Sequence, residues 1–293
     1  MTTYAIRHVT RFDYAEPVGF ARCNLRLKPI LWSGQTLIDY ALSVEPGGRT
    51  SIARAQAGLA NVTRLVVERP VASLTIESRA TVAIDRAVPM PAPDDPTLAE
   101  VAAIARVSRD MGAGSAASYL FPSPRIPIDP DIADWCAAEL APDRGALDAA
   151  IALARRIQAE FAFDTSATLV DTPPRDAFLR RGGVCQDFAQ IMISGLRAAG
   201  LPAAYASGYI RTIPPEGQER LVGADATHAW VLVWCGPRLG WVGVDPTNGI
   251  WMAGDHIVMA IGRDYADIAP IDGVVLGSGA QSMSVSVDVA PLE

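Results

Sequence analysis

The chain contains the stretch Arg-Gly-Gly-Val-Cys-Gln-Asp-Phe-Ala-Gln at residues 181–190, which places a single cysteine where a helix begins. From the phenylalanine onward, apolar residues recur at spacings of three and four, the pattern of one buried helical face. Gly200 and Pro202 end this pattern, so the sequence predicts a helix over residues 185–199. The two glycines are expected to let the backbone turn sharply and to leave the helix entry open to a ligand. Cys185 is therefore predicted to lie at the positive end of a helix dipole, a setting that favours the thiolate over the thiol.

The other cysteines suit a different interpretation. Free cysteine is often a small buried hydrophobe, and Cys136 and Cys235 fit that description, whereas Cys185 follows two glycines at a helix start. The four cysteines, at positions 23, 136, 185 and 235, form no Cys-x-x-Cys pair. The spacing therefore indicates neither a zinc site nor a disulfide framework.

Composition and charge limit the class of protein. The chain of 293 residues is 50% hydrophobic, which is ample for a sizeable core. Its net charge of −7 and the lack of a Lys/Arg-rich block argue against nucleic acid or an anionic membrane surface as the main partner. Arg7 interrupts the N-terminus where a signal peptide needs an apolar run, and no stretch reaches the length of a membrane span. The sequence predicts a cytoplasmic protein and leaves its oligomeric state open.

Residues 1–88 are typical of β-structure, because strand-forming residues alternate with polar ones and turn clusters such as Pro-Gly-Gly punctuate them. The clearest alternation, interrupted by Ser78, gives one apolar face formed by Leu74, Ile76, Ala80, Val82 and Ile84. Several short strands with turns about every ten residues predict a small antiparallel sandwich. His8 in this region is expected to be structural or exposed.

Prolines at positions 89, 91, 93 and 96 mark a boundary, because proline blocks helix interiors and central strands. The chain is therefore divided into an N-terminal β domain at 1–88, a linker and connecting segment at 89–130, and a catalytic core at 131–293. Periodicity and capping residues predict helices over 98–110, from Asp129 or Asp131 to about 140, and over 146–161. Strand patterns occupy 203–210, 227–234, 241–245 and, as a closing strand, 283–289, with a loop at 211–222.

One set of side chains in the core suits acyl transfer by a thiol, which needs a nucleophile, a base and a group that orients the base. Strands 227–234 and 241–245 can pair in the register that sets His228 directly opposite Asp245. A cysteine helix packed across that end of the sheet then brings Cys185 to the far side of the imidazole. In this arrangement the thiolate and the imidazolium stabilise each other, and the carboxylate stabilises and orients the imidazolium.

Several residues of this set have alternative interpretations. The nucleophile's own backbone N–H is the expected oxyanion donor, and Gln158 is a candidate for the second donor. His228 beside Trp230 can instead be a core histidine, and Asp245 can simply begin the turn Asp-Pro-Thr-Asn-Gly. Asp187 is either a first-turn carboxylate favoured by the helix dipole or a contact to substrate.

Four motifs occur in a fixed order: Gly-Gly-Val-Cys-Gln-Asp-Phe-Ala around Cys185, Ala-Ser-Gly-Tyr-Ile at 206–210, Thr-His-Ala-Trp around His228, and Gly-Trp-Val-Gly-Val-Asp-Pro-Thr-Asn-Gly around Asp245. Together they resemble the bacterial transglutaminase-like family of the papain-like superfamily, most strongly over residues 150–250.

The resemblance extends to both ends of the chain. Arg-Phe-Asp-Tyr at 11–14 resembles the β domain that precedes the core in many members, and Gly-Arg-Asp-Tyr-Ala-Asp-Ile-Ala-Pro at 262–270 resembles their C-terminal segment. The resemblance implies an α+β fold in which the cysteine helix packs on an antiparallel sheet. It also implies Cys185 as the nucleophile, His228 as base and acid, and Asp245 as the orienting carboxylate.

Other residues of the site follow less directly from the resemblance. The family often has a tyrosine near the position of Phe163, and phenylalanine cannot donate a hydrogen bond. His256 is expected to be structural or to lie at the rim of the cleft. The candidates for contact with substrate or oxyanion are Gln158, Asp187, Trp230, Arg263 and Asp264.

These features predict a cysteine hydrolase that cleaves an amide bond of a peptide or protein through a thioester on Cys185, with no metal or organic cofactor. Hydrolysis is favoured over transfer to an amine, because an amine must compete with water and needs a water-excluding acceptor site. The alternatives are transglutaminase-type acyl transfer, a non-catalytic module that binds a peptide or protein, and a redox sensor that pairs Cys185 with Cys235.

Overall fold

The computed structural model describes residues 1–212 and 226–292 and has the α+β architecture that the sequence predicts. Residues 213–225, with most of the loop predicted at 211–222, lie outside the described residues. The strands are β1 Thr2–Val18, β2 Phe20–Lys28, β3 Gln35–Glu45, β4 Arg49–Ala53, β5 Leu59–Val67, β6 Val71–Ile84, β7 Ala162–Phe163, β8 Gly182–Gly183, β9 Ala203–Ile210, β10 Ala226–Trp234, β11 Trp241–Asp245, β12 Ile250–Trp251, β13 His256–Gly262, β14 Ile271–Leu276 and β15 Gln281–Leu292. The helices are α1 Leu98–Arg106, α2 Pro130–Cys136, α3 Ala146–Glu160, α4 Pro174–Arg180, α5 Cys185–Ala198 and α6 Tyr265–Ile268.

The first sheet is antiparallel and has the strand order β15-β1-β6-β3. The apolar face predicted for β6 is buried along its length, and Ser78 is buried with it. Strands β1 and β6 are 17 and 14 residues long, so the prediction of short strands is wrong for both. The two strands pair from Thr2 opposite Ile84 to Asp13 opposite Ser73, and the register shifts before the next pair, Val18 and Val71.

The second sheet joins the N-terminal region to the core. Its strand order is β12-β11-β10-β9-β13-β5-β2-β14, with β4 paired to β5. The junction lies at Ala260 of β13, which pairs with Ala60 of β5. Side chains of β2 and β5 also pack against β6 of the first sheet, in a buried cluster that includes Leu25, Leu65 and Leu74. The predicted sandwich is therefore formed by two facing sheets, one of which continues into the core.

The last two strands return to the N-terminal region. β14 pairs with β2, and β15 pairs with β1 from Tyr14 opposite Gln281 to Thr3 opposite Leu292. The predicted closing strand is thus a strand, but it closes the N-terminal sheet and not the core sheet. The segment predicted as the core, 131–293, contains these two strands, and the boundaries at 88 and 130 stay predictions.

Helix α5 packs its apolar face on the second sheet, as its periodicity predicts. Phe188, Ile191 and Met192 are buried in one cluster with residues of β9 and β10. Gly195 lies where α2 crosses α5, and a Cβ on it would come within 2.3 Å of the Cys136 sulfur. The glycine therefore allows the close contact between the two helices.

Two predicted helices end early. α1 ends at Arg106 and not at residue 110, and the Ser108 and Asp110 side chains there accept hydrogen bonds from nearby backbone N–H groups, which competes with helix formation. α2 is capped by Asp129, one of the two predicted capping residues, but ends at Cys136 and not near residue 140. Over the residues that the structure describes, no helix combines the length and apolarity needed to cross a bilayer.

Gly208 of β9 provides a test of the sheet packing behind the site, because it pairs with His228 of β10 and Val258 of β13. A Cβ on Gly208 would lie 1.9 Å from a backbone oxygen and 2.7 Å from the Trp230 ring. We expect Gly208→Ala to lower the free energy of unfolding by roughly 1–3 kcal/mol or more, as overpacking does. Gly254→Ala is the control, because nothing lies near its Cβ position. Equal melting temperatures for the two variants would contradict this packing.

Candidate active site

Cys185 is the first residue of α5 and is half-buried. The chain reaches it through Arg181, whose φ of 53° lies in the left-handed region, and then through the two glycines, which form β8 beside β7. The sharp turn is therefore at Arg181, and the prediction that placed it at the glycines is wrong. Phe163 of β7 pairs with Gly183 and is 59% exposed, so an aromatic ring borders the entry to α5.

Asp187 closes the first turn of α5. It is buried, and its Oδ2 accepts hydrogen bonds from the Val184 backbone N–H at 2.8 Å and from the Thr168 hydroxyl at 2.6 Å. Burial raises the pKa of Asp187, and these two hydrogen bonds oppose the rise. A Cβ on Gly183 would lie 2.5 Å from the same oxygen, so the second glycine makes room for this carboxylate. Asp187 thus has the helix-capping role that the sequence left as one of two alternatives.

Strands β10 and β11 form the predicted hairpin in a different register. Trp234 lies opposite Trp241, which shifts the pairing by two residues and sets Asp245 diagonal to His228 and not directly opposite. In the observed register the Cys235 N–H bonds to the Gly240 carbonyl at 2.9 Å, so residues 236–239 form the loop between the two strands. A shift of two leaves every side chain on its face.

The predicted contact therefore survives the change of register. His228 Nε2 and Asp245 Oδ2 are 2.8 Å apart, because diagonal neighbours in a sheet remain within reach of long side chains. The structure also places Cys185 beside this histidine, so it brings the three predicted catalytic side chains together.

Asp245 is fully buried and is held by hydrogen bonds on both oxygens. Oδ1 accepts from the backbone N–H groups of Thr247 and Asn248, at 2.9 and 3.3 Å. Oδ2 contacts His228 Nε2 at 2.8 Å, the Asn248 side-chain amide at 2.7 Å and His256 Nε2 at 3.2 Å. Burial by itself raises the pKa of Asp245, but the bonds to the two histidines outweigh it and lower the pKa below its ordinary value. Asp245 thus both begins the predicted turn and binds the His228 ring, and its catalytic role stays a prediction.

His228 lies between this carboxylate and the cysteine. Because Asp245 holds Nε2, Nδ1 is the ring nitrogen available to the Cys185 sulfur. Burial lowers the pKa of His228, but hydrogen bonds to Asp245 and Cys185 more than compensate and raise it above its ordinary value. The side chain is 7% exposed, so solvent screens these interactions little. The site therefore favours the protonated imidazolium form of His228.

His256 of β13 is a second histidine on the same carboxylate. Its Nδ1 accepts a hydrogen bond from the Ala253 backbone N–H at 3.3 Å, so Nε2 carries the proton and donates to Asp245. The ring is buried and packs edge-on against Trp230, with centroids 5.3 Å apart. Sequence reasoning expected a structural or rim position and missed the bond to Asp245. No local pattern announces it, because His256 comes from a strand that does not neighbour β11.

The two histidines and Asp245 offer ligand atoms that all lie within 4.8 Å of one another, a spacing that a metal ion can use. A histidine bound to a metal normally donates its other ring N–H to an acceptor. Here the other nitrogen of His256 accepts a hydrogen bond from Ala253. The three side chains therefore fit a hydrogen-bonded chain better than a metal site.

Trp230 and Gln158, two of the predicted substrate contacts, have different positions. Trp230 is fully buried, with its ring 6.0 Å from that of His228 and its Nε1 donating to the Met252 sulfur at 3.1 Å. Its assignment as a substrate contact is wrong, because it supports the histidine from within the core. Gln158 is exposed on α3 beside Gly249, and its role as an oxyanion donor stays a prediction.

Arg263 and Asp264 also have structural partners. The Arg263 guanidinium makes two hydrogen bonds of 2.9 Å to the Asp267 carboxylate. Asp264 is fully buried, caps α6 through the Ala266 N–H and accepts from the Arg125 N–H, both at 2.9 Å. The suggestion that Asp264 contacts substrate is therefore wrong, whereas the role of Arg263 stays a prediction.

Tyr205 of β9 is the residue near the cysteine that sequence reasoning missed. Burial raises the pKa of Tyr205 well above its ordinary value, and the electrostatic influence of Cys185 adds to the rise. Tyr265 of α6 packs edge-on against it, with ring centroids 6.3 Å apart. Tyr205 directly precedes the motif at 206–210, but a tyrosine in a strand with apolar neighbours is typical of a core.

The role of His256 can be separated from its contribution to packing. His256→Phe keeps an aromatic ring against Trp230 but removes the donor to Asp245, whereas His256→Gln keeps an amide N–H. We expect His256→Phe to slow the alkylation of Cys185 by iodoacetamide at about pH 6 roughly tenfold, the size of one lost hydrogen bond to a charged group. His256→Gln should retain most of the rate. Two variants with equal rates and only lower melting temperatures would show a purely structural role.

Comparison with known proteins gives consistent results along the chain. The bacterial transglutaminase-like N-terminal region matches residues 4–83, and the transglutaminase-like superfamily matches residues 135–246. The uncharacterised protein Rv2569c of Mycobacterium tuberculosis is 33% identical over 297 residues, covering 99% of this chain and 93% of its own. A protein-glutamine gamma-glutamyltransferase of Pseudomonas aeruginosa is 39% identical over 100 residues, which are 33% of this chain and 15% of that protein.

Structural similarity agrees with the sequence matches. A solved structure from Cytophaga hutchinsonii, described as a candidate cysteine protease, has a TM-score of 0.78 at 21% identity and covers 100% of this chain and 91% of its own. At that identity the likeness shows the fold alone. The sequence matches, which run through both the N-terminal region and the core, show that the chain belongs to the transglutaminase-like superfamily.

Proposed function

We propose that the protein is a thiol-dependent amide hydrolase that acts on a peptide or protein through a thioester on Cys185. The observation that carries the proposal is His228, a nearly buried imidazole held between a buried carboxylate and the cysteine, with its pKa raised. This arrangement supplies a nucleophile, a proton donor and an orienting group in one place.

In the first half of the reaction, the Cys185 thiolate attacks the amide carbonyl carbon and forms a tetrahedral oxyanion. Cys185 is the first residue of α5, and a backbone N–H in the first turn of a helix has no intrahelical acceptor. The Cys185 N–H can therefore donate a hydrogen bond to that oxyanion. The C–N bond then breaks, and the His228 imidazolium gives its proton to the leaving amine. The products of this half are the free amine and a thioester.

In the second half, neutral His228 takes a proton from water, and the resulting hydroxide attacks the thioester carbonyl. The C–S bond breaks, the carboxylic acid leaves, and the thiolate and imidazolium are restored. Asp245 stays ionised throughout and stabilises the imidazolium whenever it forms.

Acyl transfer to an amine is the second candidate, and the similarity of the core to a protein-glutamine gamma-glutamyltransferase favours it. The two reactions share the thioester and differ in whether water or an amine attacks it. A non-catalytic binding module is less well supported, because a histidine that binds both an ionised carboxylate and a thiol has little use in a site that only holds a peptide.

The thiolate–imidazolium pair can be tested without a known substrate. We expect iodoacetamide to modify Cys185 rapidly from about pH 6 upward, well below the range of an ordinary thiol near 8.5. His228→Ala should slow this reaction at about pH 6 by at least roughly tenfold, because the stabilising cation is lost. Peptide mass spectrometry of each cysteine gives the rates.

The other thiols are internal controls for this experiment. Burial raises the pKa of Cys136 and of Cys235 to about 12, and burial also raises the pKa of Cys23, so all three should react slowly. A Cys185 rate that equals theirs, or that is unchanged in His228→Ala, would contradict the proposed chemistry.

Hydrolysis and transfer can be distinguished by the fate of the acyl group. With a casein digest, a fluorescent primary amine and H2¹⁸O, we expect ¹⁸O in new carboxylates and little incorporation of the amine. Turnover should persist through neutral pH and fall as the pH rises through the raised pKa of His228, because only the protonated ring can supply the leaving amine. Dominant amine incorporation would assign the protein as an acyltransferase. Cys185→Ala is the blank for both readouts.

A further inference from the structure

A groove of about 190 Å³ lies between the turn that precedes β3, the segment that follows β6, and strand β11. Its lining includes Trp32 from the turn, Arg86 from the segment after β6, Trp241 from β11, and Met252. We call this space the Arg86 groove. The proposed chemistry at Cys185 does not use it.

The Arg86 guanidinium is only partly satisfied by hydrogen bonds. Its Nη1 donates to the carbonyls of Ala253 and His256, both at 3.0 Å, and its Nε donates to the Ser33 carbonyl at 3.4 Å. Its Nη2 is buried and has no hydrogen-bond partner in the part of the chain that the structure describes. The two N–H groups on Nη2 are therefore available to a ligand.

The charge of Arg86 is also uncompensated. No acidic residue lines the groove among the described residues. Burial lowers the pKa of Arg86 to about 10, so the guanidinium is still charged at pH 7. A desolvated cation without a counter-charge is unfavourable, and a bound anion would supply both the opposite charge and hydrogen-bond acceptors. The groove therefore favours an anionic ligand.

The single cation limits the charge of that ligand. A carboxylate carries one negative charge and two acceptor oxygens, which suit a guanidinium. A phosphate monoester carries nearly two negative charges at pH 7, and one arginine would leave part of that charge without a partner. Charge complementarity thus favours a monocarboxylate.

The apolar walls limit the rest of the ligand. Trp32 and Trp241 are partly buried and Met252 is buried. Aromatic and apolar walls around one polar group are typical of sites for small organic molecules. An apolar cavity of about 150 Å³ holds benzene, so a groove of about 190 Å³ has room for one aromatic ring next to a carboxylate.

Hydrogen bonds hold the Trp32 wall against the segment that carries Arg86. The Gln35 N–H bonds to the Trp32 carbonyl at 2.8 Å, and the Asp85 N–H bonds to the Gly34 carbonyl at 2.9 Å. Gly34 has a φ of 68°, and a Cβ on it would lie 2.6 Å from the Asp85 carbonyl oxygen. The turn and the arginine are therefore fixed relative to each other.

The opposite wall is held in the same way. The Trp241 Nε1 donates to the Gly114 carbonyl at 2.9 Å, and the Met252 sulfur accepts from the Trp230 Nε1 at 3.1 Å. Both walls are thus in place before a ligand binds, which lowers the entropic cost of binding.

We propose that the Arg86 groove binds a small aromatic monocarboxylate, with the carboxylate on Arg86 and the ring against Trp32, Trp241 and Met252. This site goes beyond the proposed function and does not depend on it. Two sources share the chemistry: a free arylacetic acid, and a peptide that ends in phenylalanine.

Fluorine NMR with two matched probes tests the proposal on the intact protein. 4-Fluorophenylacetate and 4-fluorophenylacetamide have nearly the same shape and differ in charge. We expect the Kd of the acid to be at least roughly tenfold lower than that of the amide, which corresponds to about 1.4 kcal/mol. A tripeptide that ends in 4-fluorophenylalanine, as the free acid and as the C-terminal amide, tests the second source. Equal Kd values for acid and amide in both pairs would overturn the proposal.

Arg86→Met removes the cation and keeps an unbranched apolar side chain. Arg69→Met is the matched control, because Arg69 also donates to a backbone carbonyl, that of Gly47, but lies outside the groove. Arg86→Met should raise the Kd of the acid at least roughly tenfold and leave that of the amide nearly unchanged, whereas Arg69→Met should change neither. Circular dichroism melting curves check that both variants are folded.

A second pair of variants keeps Arg86 in place. Ser33 is exposed and lines the groove, so Ser33→Glu introduces a competing carboxylate, and Ser33→Gln introduces a neutral side chain of the same size. We expect Ser33→Glu to remove the preference for the acid and Ser33→Gln to retain it. This pair decides the question if Arg86→Met does not fold. A preference for the acid that persists in a folded Arg86→Met variant, or that is equal in the two Ser33 variants, would overturn the assignment of this site.

Discussion

The arrangement of the site depends on one buried carboxylate. Asp245 is removed from water, and an isolated ionised carboxylate in that position would be strongly unfavourable. It is stable there because donors reach it from separate elements: His228 from β10, His256 from β13, and Thr247 and Asn248 from the turn that follows β11. The order of the strands in the second sheet brings these donors to Asp245. The same strand order therefore stabilises the buried charge and orients the His228 imidazole.

The position of Cys185 depends on a second buried carboxylate, Asp187. Asp187 caps the start of α5 through the Val184 N–H, and it fits because Gly183 has no side chain. After the left-handed turn at Arg181, the two glycines form the short strand β8, which leads into the helix. Cys185 and His228 thus lie on two separately stabilised elements, and the packing of α5 on the sheet sets the contact between them.

The N-terminal region is tied to the core by backbone pairing as well as by side chains. β5 pairs with β13, whose first residue is His256, and the chain ends on β15 beside β1. A buried cluster that includes Tyr4, Ile6 and Val289 joins the first sheet to Tyr209 and Ile257 of the core. Strands from both terminal regions of the sequence are consequently packed against the core.

The sequence by itself determined the elements whose signals are local. The period of apolar residues located α5 to within a residue at its end, and β9 was predicted with the bounds that the structure has. These predictions succeed because helix and strand periods and turn residues act over a few neighbouring positions. The resemblance to a family then supplied the packing of the cysteine helix on a sheet.

Only the tertiary structure decided which segments meet. The hairpin register is the one in which Cys235 bonds to Gly240, the second histidine on Asp245 follows from the place of β13, and the partner of β15 is a strand at the opposite end of the chain. The alternating pattern of β10 is the same whether the face that carries Trp230 is covered or exposed to solvent. The pattern alone therefore could not predict that Trp230 is buried. The physical reason is the same in each case: a strand's period fixes which side chains share a face, whereas its partner and register depend on apolar surfaces and hydrogen-bonding groups that lie far away in sequence.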